Sequence, residues 1–286
     1  MKSIIRILFL VFILGAINNA IAQSAKNNET IILQASNATI SPIDLKLSED
    51  ILRSRLKDIG LNEVELKLIP EKGQISLNIL NKHADIPAYL LTQKGEIEFY
   101  EVYNREMLSK LFVENKDLFQ IINSIEPGIE NSSELGCIDQ KESINIINKL
   151  NSVSGNVKCK FITSYLAINT KKCIYALNAF SDISKSINGS DIEYIHLTNE
   201  TEKLQEQIEM QFKEGAVAKW SDLTAKNINK GIAVCIDNEV FFAPILRTKI
   251  EGGKCVISGD FPTHQLKLFK AIGNSKALPM SFIIIK

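Results

Sequence analysis

Two spacings of apolar residues alternate along the N-terminal part of the chain. Ile31, Ile32 and Leu33 form an apolar run within Thr30 to Ala35 and predict a strand, and the Ser41-Pro42 step marks a break after it. Leu52, Leu56 and Ile59 then recur at helical spacing. Ser48 is the expected cap, Glu49 and Asp50 sit in the first turn where carboxylates suit the free amide ends, and Gly60 is the expected stop. Val64, Leu66 and Leu68 alternate with Glu65 and Lys67 up to Pro70. After a turn holding Lys72 and Gly73, Ile75, Leu77 and Ile79 alternate again, which predicts a β-hairpin. Asp85 to Thr92 suits a short helix with Pro87 in its first turn. In Glu96 to Val102, Ile97 and Phe99 alternate with charged residues. The order strand, helix, strand, strand, helix, strand is that of the split β-α-β motif, in which two amphipathic helices cover one apolar face of an antiparallel sheet. The fold class expected is therefore α+β, with a ferredoxin-like β-α-β-β-α-β base subdomain.

Beyond this base the pattern is mixed. Met107, Leu108, Leu111 and Phe112 make one helical stripe, and Leu118, Phe119, Ile121 and Ile122 make another. Glu126 to Gly136 is turn-rich, Ile144, Ile147 and Leu150 suggest a further short helix, and strand-like runs follow to Phe180. Tyr194 to Leu197 predicts a strand entering a helix capped by Thr198, with Leu204, Ile208 and Phe212 at four-residue steps. Gly231 to Ile236 and Glu239 to Ala243 read as strands joined at Asp237-Asn238, and Pro244 ends the second. Gly252-Gly253 makes another reversal before a strand at Cys255 to Ile257, and Gly259-Asp260 leads into a last helix over Leu266 to Ile272. Residues 277–285 predict a terminal strand. The expected organisation is a base subdomain at 23–105 plus 262–286, a connecting region at 106–190, and a second mixed α+β head subdomain at 191–261.

The first 22 residues have the three parts of a secretory signal: Lys2 and Arg6, the apolar run from Ile7 to Ile17, and a small-x-small site at Ala20-Ile21-Ala22. The run is short for a span of roughly 20 residues, so cleavage near Gln23 is expected, with no integral membrane segment afterwards and a soluble, periplasmic or otherwise extracytoplasmic location. The whole chain carries 33 basic and 33 acidic side chains; without Lys2 and Arg6 the net charge is near −2. No basic stripe exists to bind nucleic acid or anionic lipid. Cys137, Cys159, Cys173, Cys235 and Cys255 form no CxxC and no zinc spacing, and their odd number leaves at least one unpaired.

The residue types that carry chemistry are scattered. His83, His196 and His264 have no second ligand nearby, no GxSxG elbow occurs, and no carboxylate pair is placed for acid–base work. No catalytic, metal-binding or cofactor-binding residue is assigned, no cofactor is expected, and the chain is read as non-enzymatic. Asp237, Gly252, Gly253 and Gly259 are read as structural turn residues. Phe241, Phe242, Ile245 and Leu246 are a candidate partner-binding surface, because one of two consecutive phenylalanines on a strand must face away from the other. An exposed edge or groove there would suit an extended polypeptide.

The stretch GIAVCIDNEVFFAPILRTKIEGGKCVISGDF at 231–261 resembles the head signature of the first periplasmic domain, P1, of SecD in the bacterial protein-export machinery. ALPMSFIII at 277–285 resembles the strand that precedes the next membrane helix of SecD. EDILRSRLKDIGLNEVELKLIPEKGQISLNI with GEIEFYEV, at 49–79 and 95–102, is similar to the base, and LTNE at 197–200 fits the element before the head signature. The resemblance implies a stand-alone P1-like protein that binds exported polypeptides or translocase and envelope partners. Because the sequence stops at Lys286, where SecD continues into its membrane helices, no proton coupling is expected. An exported structural or adaptor protein reusing the fold is the alternative, and an envelope hydrolase a third reading. Within the resemblance, Cys235 and Cys255 fall on neighbouring strands of the head, as a candidate cross-strand disulfide or as two separate buried thiols.

Overall fold

The computed structural model describes residues 29–37, 40–79, 86–111, 115–126, 132–154, 159–179, 187–199 and 206–285; the expected signal segment, His83 and the Pro127-Gly128 turn lie outside them. The chain divides into two compact units, Met1–Gln93 with Pro279–Lys286, and Lys94–Leu278.

The first unit builds one sheet from β1 (Glu29–Ala35), β2 (Val64–Ile69), β3 (Gln74–Ile79) and β13 (Phe282–Ile284), in the order β13-β1-β3-β2 with every pair antiparallel. This is the strand order of the split β-α-β arrangement. The β2–β3 hairpin has the expected register, Leu66 facing Leu77 and Leu68 facing Ile75, and Gly73 closes its turn in the left-handed region at φ 60°. Helix α1 (Pro42–Asp58) starts earlier than the expected cap at Ser48. Ser41 caps it, accepting from the Asp44 amide at 3.0 Å, while Ser48 is buried inside the helix and donates to the Asp44 carbonyl. Leu45 extends the buried stripe of Leu52 and Leu56 by two turns, and proline is tolerated at the first helical position. Arg55 is fully buried on the same helix. Its Nη1 donates to the carbonyls of Leu90 and Gln93, at 3.0 and 2.9 Å, and so satisfies the end of α2 (Ala88–Thr92).

The strand expected to complete this sheet, Glu96 to Val102, does not do so. Its residues form β4 (Ile97–Tyr103) inside the second unit, and β13 takes the place beside β1, with Leu33 facing Ile284 and Ala35 facing Phe282. The base boundaries expected at 105 and 262 are corrected accordingly to 93 and 279. Burial explains the exchange. Ile97, Phe99, Tyr100 and Val102 are all buried, which suits a central strand covered on both faces, whereas Ile283 and Ile284 are exposed on an edge strand.

The second unit holds two sheets. The larger takes β5 (Gly136–Asp139), β6 (Lys160–Thr163), β7 (Lys171–Leu177), β10 (Ile232–Ile236) and β11 (Glu239–Phe242) around β4, in the order β11-β10-β4-β7-β5 with β6 paired to β7. Residues 106–190, expected as a connector, therefore supply half of this sheet. Alternate residues serve its two faces. Phe161, Ile174 and Ala176 pack under Leu108, Leu118, Ile122 and Leu150 of the helices α3 (Arg105–Leu111), α4 (Lys116–Ser124) and α5 (Ser143–Val153). Ile162 and Leu177 join Tyr100, Ala233, Cys235 and Val240 in a separate cluster.

The smaller sheet has the order β12-β9-β8, from β8 (Ile192–Asn199), β9 (Glu206–Phe212) and β12 (Lys254–Ile257). The helix expected after Thr198 is thus a strand hairpin. Ile208 and Phe212 are four apart, but Met210 between them is buried as well, and a spacing of four satisfies a period of two. The helix in this region is α6 (Glu214–Lys226), which buries Ala216, Trp220 and Leu223. Phe99, Phe212 and Trp220 meet with centroids 4.5–5.6 Å apart, joining β4, β9 and α6. The last helix, α7 (Thr263–Gly273), packs on β8 and β9.

Candidate binding cleft

The β10–β11 hairpin turns at Asp237 and Asn238, both left-handed with φ 48° and 68°, the conformation of a two-residue turn of type I′. The Asp237 carboxylate accepts the amides of Gly95 and Glu96, at 2.7 and 2.9 Å, and ties the turn to the entry of β4. Gly253 occupies the left-handed region at φ 70°, where a Cβ would come 2.7 Å from Val217. Gly252 has open space around it, and Gly259 lies against the Phe261 ring.

Phe241 and Phe242 do not form an exposed surface; they are 4% and 2% exposed. Strict alternation breaks down here because the β10–β11 pairing carries a β-bulge. Val234 faces Phe242 and Cys235 faces Val240, so Phe241 is an extra residue. Both rings consequently reach Phe269 of α7, at 6.4 and 5.0 Å, while Phe241 also stacks on Tyr165 and Phe242 packs on Phe261. The carbonyl freed at the bulge accepts from the buried Gln265 side chain at 2.6 Å. The outer edge of β11 is engaged too, since the Tyr165 amide donates to the Val240 carbonyl.

Ile245 and Leu246 lie elsewhere, on the wall of a cleft of about 520 Å³ within the second unit. It is also lined by Trp220, Ile232 and Val234, and by Cys255 to Ile257 of β12. Three features distinguish the cleft. β12 is an edge strand of its sheet. Val256 on that strand is 52% exposed. The Trp220 indole Nε1 is buried and has no hydrogen-bond partner among the described residues, and a buried donor in that state costs about 1–3 kcal/mol until an acceptor arrives. Arg247 is exposed along the lining. The reading of the sequence passed over Trp220; its signal was that it is the sole tryptophan. A larger hollow of about 650 Å³ lies at Glu96, Glu98, Glu193, Lys213 and Lys276. It is more polar, and Asn274 and Lys213 in its lining already bond to the backbone of Ile195 and Ser190.

The cysteines pair differently from the candidate disulfide. Cys137 and Cys173 are bonded, as directly facing residues of β5 and β7. Cys235 and Cys255 are separate buried thiols, because β10 and β12 belong to different sheets. Burial pushes the Cys255 and Cys159 thiols up to about 12, and raises Cys235 as well. His196 is exposed and stacks on Tyr194, and His264 is exposed on α7.

The profile of the family described as SecDF, P1 head subdomain, matches residues 171–280. The match begins at β7 and ends past α7, wider than the expected head at 191–261, and it contains the whole cleft. Among curated relatives, the protein translocase subunit SecD of Calditerrivibrio nitroreducens is 33% identical over 67 residues, 23% of this chain and 13% of that protein. SecD of Acidaminococcus fermentans is 29% identical over 82 residues, 29% of this chain and 20% of that protein. SecDF of Thermus thermophilus is 30% identical over 74 residues, covering 26% and 10%. The matched part of the chain thus spans a fifth or less of these relatives' length. Two solved structures share the fold. One is of SecDF, a membrane component that enhances protein export, with a TM-score of 0.50 and 15% identity over 90% of this chain and 98% of that one. The other is SecDF in a super-membrane-facing form, with a TM-score of 0.54 and 16% identity over 91% and 30%. No helix among the described residues is long and apolar enough to cross a membrane. Residues 171–280 of the chain thus match the SecDF P1 head subdomain, and the fold is one shared with solved SecDF structures.

Proposed function

We propose that this is a non-enzymatic exported protein whose head holds extended, apolar segments of exported polypeptides, or of translocase and envelope partners, in the cleft beside β12. The observation that carries the reading is the edge of β12 beside an apolar cleft lined by Trp220, whose buried indole donor has no partner among the described residues. An incoming strand offers backbone groups to the edge and a carbonyl to the indole, and its alternate side chains fill the cleft with little demand on sequence. The resemblance to translocase subunits supports such partners, and the secretory signal read at residues 1–22 supports a location where they are met. The proposal gives the described residues binding and no proton-coupled step.

The sole tryptophan reports on the cleft directly. Titration with an unstructured peptide of about ten residues alternating valine and serine is expected to change its emission saturably. Val256→Glu, at an exposed site, is expected to weaken binding about tenfold, equivalent to about 1.4 kcal/mol. Trp220→Phe, followed by anisotropy of a labelled peptide, tests the indole donor. Unchanged emission at millimolar peptide, with the fold intact by circular dichroism, would remove the proposal.

A further inference from the structure

Cys137, Cys173 and Glu134 lie together where β5 meets β7, with the two sulfurs and a carboxylate oxygen all within 4.8 Å of one another. All three residues are half-buried, so solvent, reductants and ions reach them, whereas the other three cysteines are buried. The two cysteines come from directly facing positions of paired strands. Opening the disulfide therefore leaves both thiols held on one patch of sheet by the backbone ladder. The flanking ladder is dense: the Leu135 amide donates to Ile174, the Ser164 amide to Cys173, and the Cys173 amide to the Ser164 hydroxyl.

We propose that Cys137, Cys173 and Glu134 form a redox-gated site for a borderline-soft divalent cation such as zinc, empty while the disulfide is closed and available once it is reduced. The chemistry balances in two steps. A thiol-class reductant attacks one sulfur, and its second thiol resolves the mixed disulfide. The Cys137–Cys173 bond breaks, the reductant's disulfide forms, and two protein thiols result. The cation then binds both sulfurs and the carboxylate as the two thiol protons leave to solvent. Zinc takes sulfur at about 2.3 Å and carboxylate oxygen at about 2.0–2.2 Å, a span that a cluster of this width accommodates after small side-chain rotations. Two thiolates and a carboxylate leave a fourth position for water. The free thiols do not compete, because burial holds Cys159 and Cys255 up at about 12. The device is independent of the β12 cleft.

The test uses the full chain, oxidised or reduced with a phosphine that is then removed without air, and titrates zinc alone by calorimetry. The expected result is no stoichiometric binding to the oxidised chain and one zinc per chain after reduction. Glu134→Gln is expected to weaken binding to the reduced chain at least tenfold while leaving the disulfide able to form, and Cys137→Ser with Cys173→Ser to abolish zinc uptake after the reductant treatment. Zinc is also expected to slow alkylation of the reduced chain at Cys137 and Cys173, mapped by peptide mass spectrometry. A reduced, folded chain that takes up no zinc overturns the proposal, as does uptake unaffected by Glu134→Gln. Unfolding on reduction, seen as lost near-ultraviolet dichroism, overturns it equally, since the site needs β5 and β7 to stay paired.

Discussion

Glu49 lies between Lys46 and Arg53 on α1, with ion-pair distances of 2.8 and 2.7 Å and a side chain only 9% exposed. Burial pushes its carboxyl up, but the hydrogen bonds and charges of the two cations outweigh burial and hold it below its ordinary 4.5. An acid lowered by folding stabilises the fold above its unfolded value and loses that contribution as pH falls through the folded one. Glu49→Gln is therefore expected to melt below the parent at neutral pH, by up to about 1 kcal/mol. The gap should close as pH drops below the carboxylate range. Thermal unfolding at both pH values checks this, and a gap that persists in acid contradicts it. At this scale the sequence reveals residues whose role is local. Asp237 and Gly253 are legible because a tight turn demands them. The Cys137–Cys173 pair and the shared direction of Phe241 and Phe242 are not, since the first depends on which strands become neighbours and the second on a single inserted residue.

The β10–β11 hairpin is an element whose ends are held by its turn. Asp237→Ala removes both hydrogen bonds to Gly95 and Glu96 and places alanine at a positive φ. The expected loss is about 2–3 kcal/mol, read as a lower denaturant midpoint with unchanged slope; a midpoint within error of the parent would contradict it. Elements with two agreeing signals were readable: β2 and β3 have alternation plus Pro70 and Gly73, and α7 has a stripe after a Gly-Asp turn. Where signals conflicted the reading failed. Ile208 and Phe212 fit helix and strand equally, and the intervening Met210 decides for the strand only once burial on β9 is known. At α1, Ser48 and Ser41 both suit a cap, and Leu45 tips the start to the earlier one.

The first unit is interrupted in sequence: Lys94–Leu278 is inserted between α2 and β13. Truncation after Pro279 is expected to strip hydrogen-exchange protection from the outward amides of β1, which β13 otherwise pairs, and to leave the second unit's protection intact. Protection of β1 that survives the truncation would contradict this. The strand order of the motif was legible here, but not which strand closes it. Glu96 to Val102 and the terminal run carry similar alternation, and only long-range burial separates a central strand from an edge one.

That interruption also sets a timetable. A chain is made from its N-terminus, and its early elements meet solvent first. β1 emerges early, yet its partner Ile284 emerges after the entire second unit, a separation across which loop closure makes pairing slow. Until then the edge of β1 that β13 later pairs stays open, on a strand that carries Ile31, Ile32 and Leu33. Between its first and last residues to appear, this protein is itself a nascent chain with an unprotected edge, in need of the same shelter that its own cleft is proposed to give.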